Sequence, residues 1–317
     1  MASRSSISWR AQAVKALLRV TRRRRIYSSV AGLMAGIEAT RRAGPARPPS
    51  ALLRTVNVEA ERVGACEVYT LRPRSQSSGQ VVLYLHGGAY CRPITPQHWS
   101  FLRWLVADEG CTVVVPLYPL APENQCLETV GAVREVHEKL IERHKRVDAF
   151  VGDSAGAGLC LALCQDLGEA GRPLPGRIVL ITPWVDATLT HASIAGTERR
   201  DPMLAIHGIR EAGRLYAGSL GAEHPWVSPL RADLRGLPPM QVLAGTDDIL
   251  HHDAMAFADK ARAAGCAIEL HLADGMVHAW PLLPVPEARL ARQAIGKFLK
   301  DPAANTQLPS RAHPSGG

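Results

Sequence analysis

The chain has 317 residues, 46% of them hydrophobic, and carries 37 Lys and Arg against 29 Asp and Glu, a formal net charge of +8. That length and apolar content suit one large domain with insertions and a sizeable core. The basic excess is confined to residues 1–54, which hold 12 Lys and Arg and a single acid, Glu38; with no binding motif or aromatic stacking platform beside it, nucleic acid is excluded as a partner.

The N-terminal arm, residues 1–54, contains an amphipathic stretch from Ala11 to Arg25 with Ala13, Val14, Leu17 and Leu18 on one face and Arg22-Arg23-Arg24-Arg25 at its end. It reads either as an interfacial helix making peripheral membrane contact with anionic lipid or as an acid-poor transit peptide. No apolar run reaches the ~18 residues of a spanning helix, and Lys15 and Arg19 interrupt the one candidate signal core. Seven cysteines, odd in number and without C-x-x-C spacing, predict free thiols in a reducing, cytoplasmic compartment.

From residue 55 to about 300 the pattern predicts strands near 55–63, 65–72, 80–85, 111–117, 148–153, 177–183, 239–245 and 267–272. From the third onward, helical stretches alternate with them. That rhythm predicts an α/β fold, a mostly parallel eight-stranded sheet with helices on both faces. Residues 185–225 interrupt it, and an insertion near the active rim predicts part of a helical cap. The tail, 301–317, is rich in Pro, Ala and Ser and reads as disordered.

Three segments carry chemistry. Val81-Val82-Leu83-Tyr84-Leu85 leads into His86-Gly87-Gly88-Ala89-Tyr90, where glycines let backbone N–H groups turn inward toward an oxyanion; Gly88 and Ala89 are the expected donors, together with Ala155. Asp148-Ala149-Phe150-Val151 precedes Gly152-Asp153-Ser154-Ala155-Gly156, the strand–turn–helix setting in which a strained elbow raises a nucleophilic serine. A serine needs a base and the base an orienting carboxylate, in the order Ser, Asp, His. After the strand ending at Gly245 come Asp247 and Asp248, and after the next strand comes His278. Either aspartate fits by position. His251-His252-Asp253 resembles a metal cluster only superficially, because adjacent histidines point to different helix faces and no further ligand set accompanies them. Neither a metal nor a cofactor is expected.

With these motifs, and with Leu120-Ala121-Pro122-Glu123, Asp201-Pro202-Met203, Val227-Ser228-Pro229-Leu230, Leu237-Pro238-Pro239 and Asp248-Ile249-Leu250, the chain from about Val81 to Leu299 resembles the hormone-sensitive-lipase-like family of α/β-hydrolases, the bacterial family IV esterases, similar to arylacetamide deacetylases. The resemblance implies a triad of Ser154, Asp248 and His278, an oxyanion hole at Gly88, Ala89 and Ala155, and a small-molecule ester as substrate. It favours Asp248 over Asp247 through the spacing to Leu250, and it adds a third reading of the N-terminal arm, as part of the cap. Two departures stand out. Ala89 replaces the family's usual third glycine, tolerable at a negative φ. Leu117 and Pro119 stand where Asp and Arg are common, which removes any ion pair from that loop.

The reaction implied is hydrolysis of short to medium acyl esters by a serine carboxylesterase, with lactone and amide hydrolysis open to the same machinery. The competing class is a ligand receptor of the same fold, as in the gibberellin receptors, which lack the histidine present here as His278. Trp184, Trp226 and Trp280 suggest an apolar pocket wall or simple packing. The sequence is compatible with a homodimer.

Overall fold

The computed structural model describes residues 7–301. The expected disordered tail thus lies, Asp301 aside, outside the described residues. In chain order the elements are α1 (Trp9–Val20), α2 (Val30–Ala43), α3 (Ser50–Leu53), β1 (Val56–Val63), β2 (Cys66–Pro73), β3 (Val81–Leu85), α4 (Pro96–Ala107), β4 (Thr112–Leu117), α5 (Cys126–His144), β5 (Ala149–Asp153), α6 (Ala155–Glu169), β6 (Arg177–Ile181), α7 (Ile194–Glu198), α8 (Ile206–Ala217), β7 (Met240–Gly245), α9 (His251–Ala263), β8 (Ile268–Ala273) and α10 (Pro286–Lys300).

One eight-stranded sheet has the order β1-β2-β4-β3-β5-β6-β7-β8. The β1–β2 hairpin joins antiparallel at β4, and every pairing from β4 through β3 to β8 is parallel. Continuous apolar runs become central strands because both faces are covered: β3, β5, β6 and β7 are buried throughout, whereas edge strand β8 alternates. Successive side chains enter opposite cores. Leu83, Phe150, Ile178 and Val242 meet α5, α6 and α9 on one face, while Val82, Val151, Val179 and Leu243 meet α4 and α10 on the other. All seven cysteines are free and buried.

The N-terminal segment differs in detail from the expected helix. α1 stops at Val20, Arg22 turns left-handed at φ 50°, and Arg23–Tyr27 forms a 3-10 turn. Its inward face consists of Ala11, Val14, Lys15 and Leu18, not Ala13 and Leu17, which point to solvent. Helical spacing i, i+3, i+4, i+7 from Ala11 accounts for the correct stripe. The 3-10 turn and α2 pack on α8, so closely that a Cβ on Gly208 would lie 2.3 Å from the Tyr27 carbonyl oxygen. Ser8 fastens the start of α1 by donating its N–H and hydroxyl to Glu287 at 2.6 and 3.0 Å.

Candidate functional site

The elbow between β5 and α6 places Ser154 at φ 54°, ψ −120°, a conformation that L-residues adopt only under local constraint. The constraint is close backbone packing. A Cβ on Gly156 would sit 2.0 Å from the Leu85 carbonyl oxygen of β3, and one on Gly152 2.5 Å from the Gly156 carbonyl. Only glycine fits either position.

The neighbouring loop departs from expectation at Ala89, whose φ is +54°, not negative; Gly88 (131°) and Tyr90 (59°) flank it in the same half of backbone space. The cause is a tight turn in which the Gly88 carbonyl accepts from the N–H groups of Cys91 (3.1 Å) and Arg92 (2.9 Å). An alanine there costs on the order of 1 kcal/mol relative to glycine, yet it keeps its N–H. Gly87 donates its own N–H to Asp153 Oδ1 at 2.9 Å, whereas the N–H groups of Gly88, Ala89 and Ala155 have no partner among the described residues.

Asp153 anchors that loop, a role not apparent from sequence. Its Oδ1 also accepts the Tyr84 hydroxyl (2.6 Å), and its Oδ2 meets His98 Nε2 (3.2 Å). The Thr95 N–H donates to His98 Nδ1 (3.0 Å), so the ring proton sits on Nε2, facing the carboxylate. Burial would raise the Asp153 pKa, but His98, Tyr84 and the Gly87 N–H overcome it and hold it at about 2. His86, stacked on Tyr118 at 4.4 Å, is pushed down to about 4 by burial and by the neighbouring His98 ring, against the opposing pull of the Gly87 carbonyl and Asp153.

At the end of β7 the two adjacent aspartates diverge. Asp248 is fully buried and accepts His278 Nδ1 on Oδ2 at 2.8 Å, while its Oδ1 accepts the Leu250 N–H at 2.9 Å. Asp247 binds Lys15 Nζ at 2.6 Å and Arg200 Nε at 3.0 Å. Lys15 also donates to the Gly275 carbonyl at 2.9 Å, so α1 spans both loops that bear the carboxylate and the imidazole. With Nδ1 donating to Asp248, Nε2 is the basic nitrogen of neutral His278. Burial opposes protonation of His278, but the charge and hydrogen bond of Asp248, with Asp201 and Asp153 behind, outweigh it and raise the pKa above 6.5.

Asp201, quoted above only as part of a motif, is a second buried carboxylate beside Asp248. It accepts the N–H groups of Met203 (2.7 Å), Leu204 (2.9 Å) and Ile249 (3.0 Å), pinning residues 201–204 to the Asp248 loop. Burial and the like charge of Asp248 raise its pKa against those bonds.

Ser154 and His278 line one cavity of about 490 Å³ with Gly87, Gly88, Ala89 and Asp153; no hydrogen bond joins the Ser154 hydroxyl to His278. Its apolar wall comes from Leu18, Met203, Leu204, Ile209, Leu282 and Leu283. None of Trp184, Trp226 and Trp280 lines it: Trp184 is buried against Tyr90 at 5.6 Å, and Trp226 meets His224 at 5.8 Å. The rings of His251 and His252 lie 3.7 Å apart instead of diverging. His251 Nδ1 bonds the Asp248 carbonyl (2.7 Å), and His252 Nε2 pairs with the Thr197 hydroxyl (3.0 Å). The loop lacking an ion pair at Leu117 and Pro119 is held by Arg41 instead, which reaches the Cys91 and Ala121 carbonyls at 2.8 Å each and Glu123 at 2.9 Å.

Gly88, Ala89, Ser154, Asp248 and His278 all follow the carboxyl ends of parallel strands, the rim where α/β-hydrolases perform their chemistry. A family model described as alpha/beta hydrolase fold matches residues 82–282. An acetyl-hydrolase of Streptomyces hygroscopicus is 34% identical over 245 residues, 75% of this chain and 81% of the relative; an esterase of Acinetobacter venetianus is 32% identical over 227, 70% and 75%. Among solved structures, a hormone-sensitive lipase from a metagenome library superposes with a TM-score of 0.81 at 26% identity, covering 95% of this chain and 100% of that one. The chain belongs to the α/β-hydrolase family, in its hormone-sensitive-lipase-like branch.

Proposed function

We propose that the chain is a serine carboxylesterase acting on short to medium acyl esters, with Ser154 as nucleophile, His278 as general base and acid, and Asp248 as the orienting carboxylate. The bond from buried Asp248 to His278, whose ring lines the same cavity as Ser154, carries this reading. Ser154 Oγ attacks the acyl carbonyl while His278 Nε2 takes its proton. The oxyanion is received by the N–H groups of Gly88, Ala89 and Ala155, each worth about 3 kcal/mol to the transition state. His278 then protonates the leaving alcohol, and water, activated by the same imidazole, releases the acid. The acetyl-hydrolase and esterase relatives support an ester substrate. A chain-length series of p-nitrophenyl esters, with matched lactones and anilides, tests the substrate class. Labelling of the wild type, and not of Ser154→Ala, by an organophosphonate tests the nucleophile. Absence of labelling would favour the receptor reading.

The arm and residues 185–225 together form the cap, since Leu18, Arg23 and Tyr27 from one and Met203, Leu204 and Ile209 from the other line the cavity. Such a wall-forming role argues against a removable transit peptide. A lipid surface is the partner best matched by the outer face of α1, where Trp9, Leu17 and Val20 are 73%, 60% and 78% exposed beside Arg10 and Arg19. Sedimentation with phosphatidylglycerol vesicles, lost in a Trp9→Ser, Leu17→Ser variant, is the expected result; equal sedimentation of both proteins would overturn it.

A further inference from the structure

The catalytic cavity holds two guanidiniums that have no ion-pair partner among the described residues. Arg23, at its mouth, and Arg92, beside the oxyanion loop, both line it. Arg92 is fixed by its own backbone: its N–H donates to the Gly88 carbonyl at 2.9 Å, and a Cβ on Gly88 would lie 3.3 Å from the Arg92 Cβ. Its Nη1 is buried with no hydrogen-bond partner, and neither guanidinium forms an ion pair among the described residues. The arms of neighbouring arginines are occupied otherwise: Arg24 binds Glu198 at 3.1 Å and Arg41 binds Glu123.

The other titratable groups of the wall supply no free counter-charge. Asp153 is the one carboxylate among them, and its oxygens are taken by Tyr84, Gly87 and His98. Burial raises the Tyr27 phenol against the pull of Arg92 and Arg23, so it stays neutral. Partial desolvation and the charge of Arg92 lower the pKa of Arg23, but Arg23 stays exposed while Arg92 is half-buried, so Arg92 is the guanidinium drawn out of water. Leaving Arg92 Nη1 buried and unpartnered is costly unless a ligand anion completes the site.

We propose that the preferred substrates are esters whose acyl or alcohol part ends in an oxyanion, a carboxylate or a phosphate-type group, bound by Arg92 and Arg23. The inference rests on the esterase reading above. A forked guanidinium offers paired donors matched to either anion, and the neighbouring leucines and Met203 accept the carbon chain between anion and scissile carbonyl. A second cavity adjoins this one through Pro96, Gln97, Leu282 and Leu283, and it too is rich in arginine, with Arg10, Arg289 and Arg292 against the single acid Asp108. Its charge draws anionic solutes toward the same mouth.

The test compares kcat/KM for charged and neutral partners of matched shape: mono-4-nitrophenyl succinate against its methyl ester on the acyl side, and 4-acetoxybenzoate and 4-acetoxyphenylphosphonate against methyl 4-acetoxybenzoate on the alcohol side. In the wild type at low salt at least one charged probe should exceed its neutral partner by about tenfold, as expected for a charge-assisted contact in a half-buried site. The advantage should shrink with added NaCl, fall by about tenfold in Arg92→Gln and less in Arg23→Gln, and return in part in Arg92→Lys. Carboxylate and phosphonate probes separate the two anion types. Hydrolysis of the neutral esters with no charged advantage, or an advantage unchanged in both glutamine variants, would overturn the inference while leaving the esterase reading intact; no hydrolysis of any probe would remove both.

Discussion

Asp248→Asn is the most informative single substitution. In the native site the Asp248 carboxylate does two things through one 2.8 Å contact: it fixes the proton on His278 Nδ1, and its charge raises the imidazole pKa against burial. The amide removes the charge, and by presenting its NH2 to Nδ1 it selects the tautomer that carries the proton on Nε2. That ring cannot take the Ser154 proton. The expected loss is about 10⁴-fold in kcat, equivalent to about 5.4 kcal/mol of transition-state stabilisation. Asp201 cannot substitute, because three backbone N–H groups already occupy its oxygens. Asp247 is the internal control, since it faces Lys15 and Arg200 instead; Asp247→Asn should keep kcat within about tenfold. The assay is steady-state hydrolysis of p-nitrophenyl butyrate, with thermal melts confirming that both variants fold. An Asp248→Asn enzyme within tenfold of wild type, or an Asp247→Asn enzyme equally impaired, would refute the assignment.

The remaining predictions concern pH and the scaffold of the site. Because neutral His278 is the base and the charge and hydrogen bond of Asp248 raise its pKa against burial, kcat/KM should rise with pH through a midpoint above that of a free imidazole. A flat profile from pH 5 to 9 would exclude that role. Asp153→Ala strands His98 and Tyr84 without their buried acceptor, with an expected cost of about 3–5 kcal/mol in denaturant titration. In the wild type this carboxylate's contribution is present above the unfolded pKa near 4 and is lost as pH falls through about 2, so acid unfolding of Asp153→Ala should show a weaker pH dependence over that interval. Gly156→Ala drives a Cβ to 2.0 Å from a backbone oxygen of β3; recovery of soluble, fully active protein would contradict the close approach of elbow and strand.

The sheet was legible because its signals are local. Eight apolar or alternating runs became eight strands with no end displaced by more than two residues, and Ser154 declared itself through glycines that the elbow requires on both sides. Side-chain partnerships distant in sequence were not legible. Asp247 and Asp248 both fit by position after their strand, with only the family's spacing to Leu250 favouring the second, and what separates them in space is His278 on one and a lysine 232 residues upstream on the other. The apolar residues of α1 suggest a stripe one helical position away from its inward face, because Lys15 lies on the buried side with its charge neutralised by Asp247. Ala89 shows the opposite failure, a residue type that argues for negative φ overruled by a turn that Gly88 nucleates. Arg92 and Arg23 carry no motif, and only a cavity brings them together.

The fastening of α1 also bears on when the catalytic cavity comes into being. Ser8 and Lys15 leave the ribosome early, yet Glu287 and Asp247 follow 279 and 232 residues later. At ~5–20 residues per second the arm waits for roughly 10–50 s before its partners exist. Secondary structure in the middle of the chain therefore forms around an open site, and closure is a late, long-range event. In refolding, recovery of turnover should lag behind recovery of helical signal.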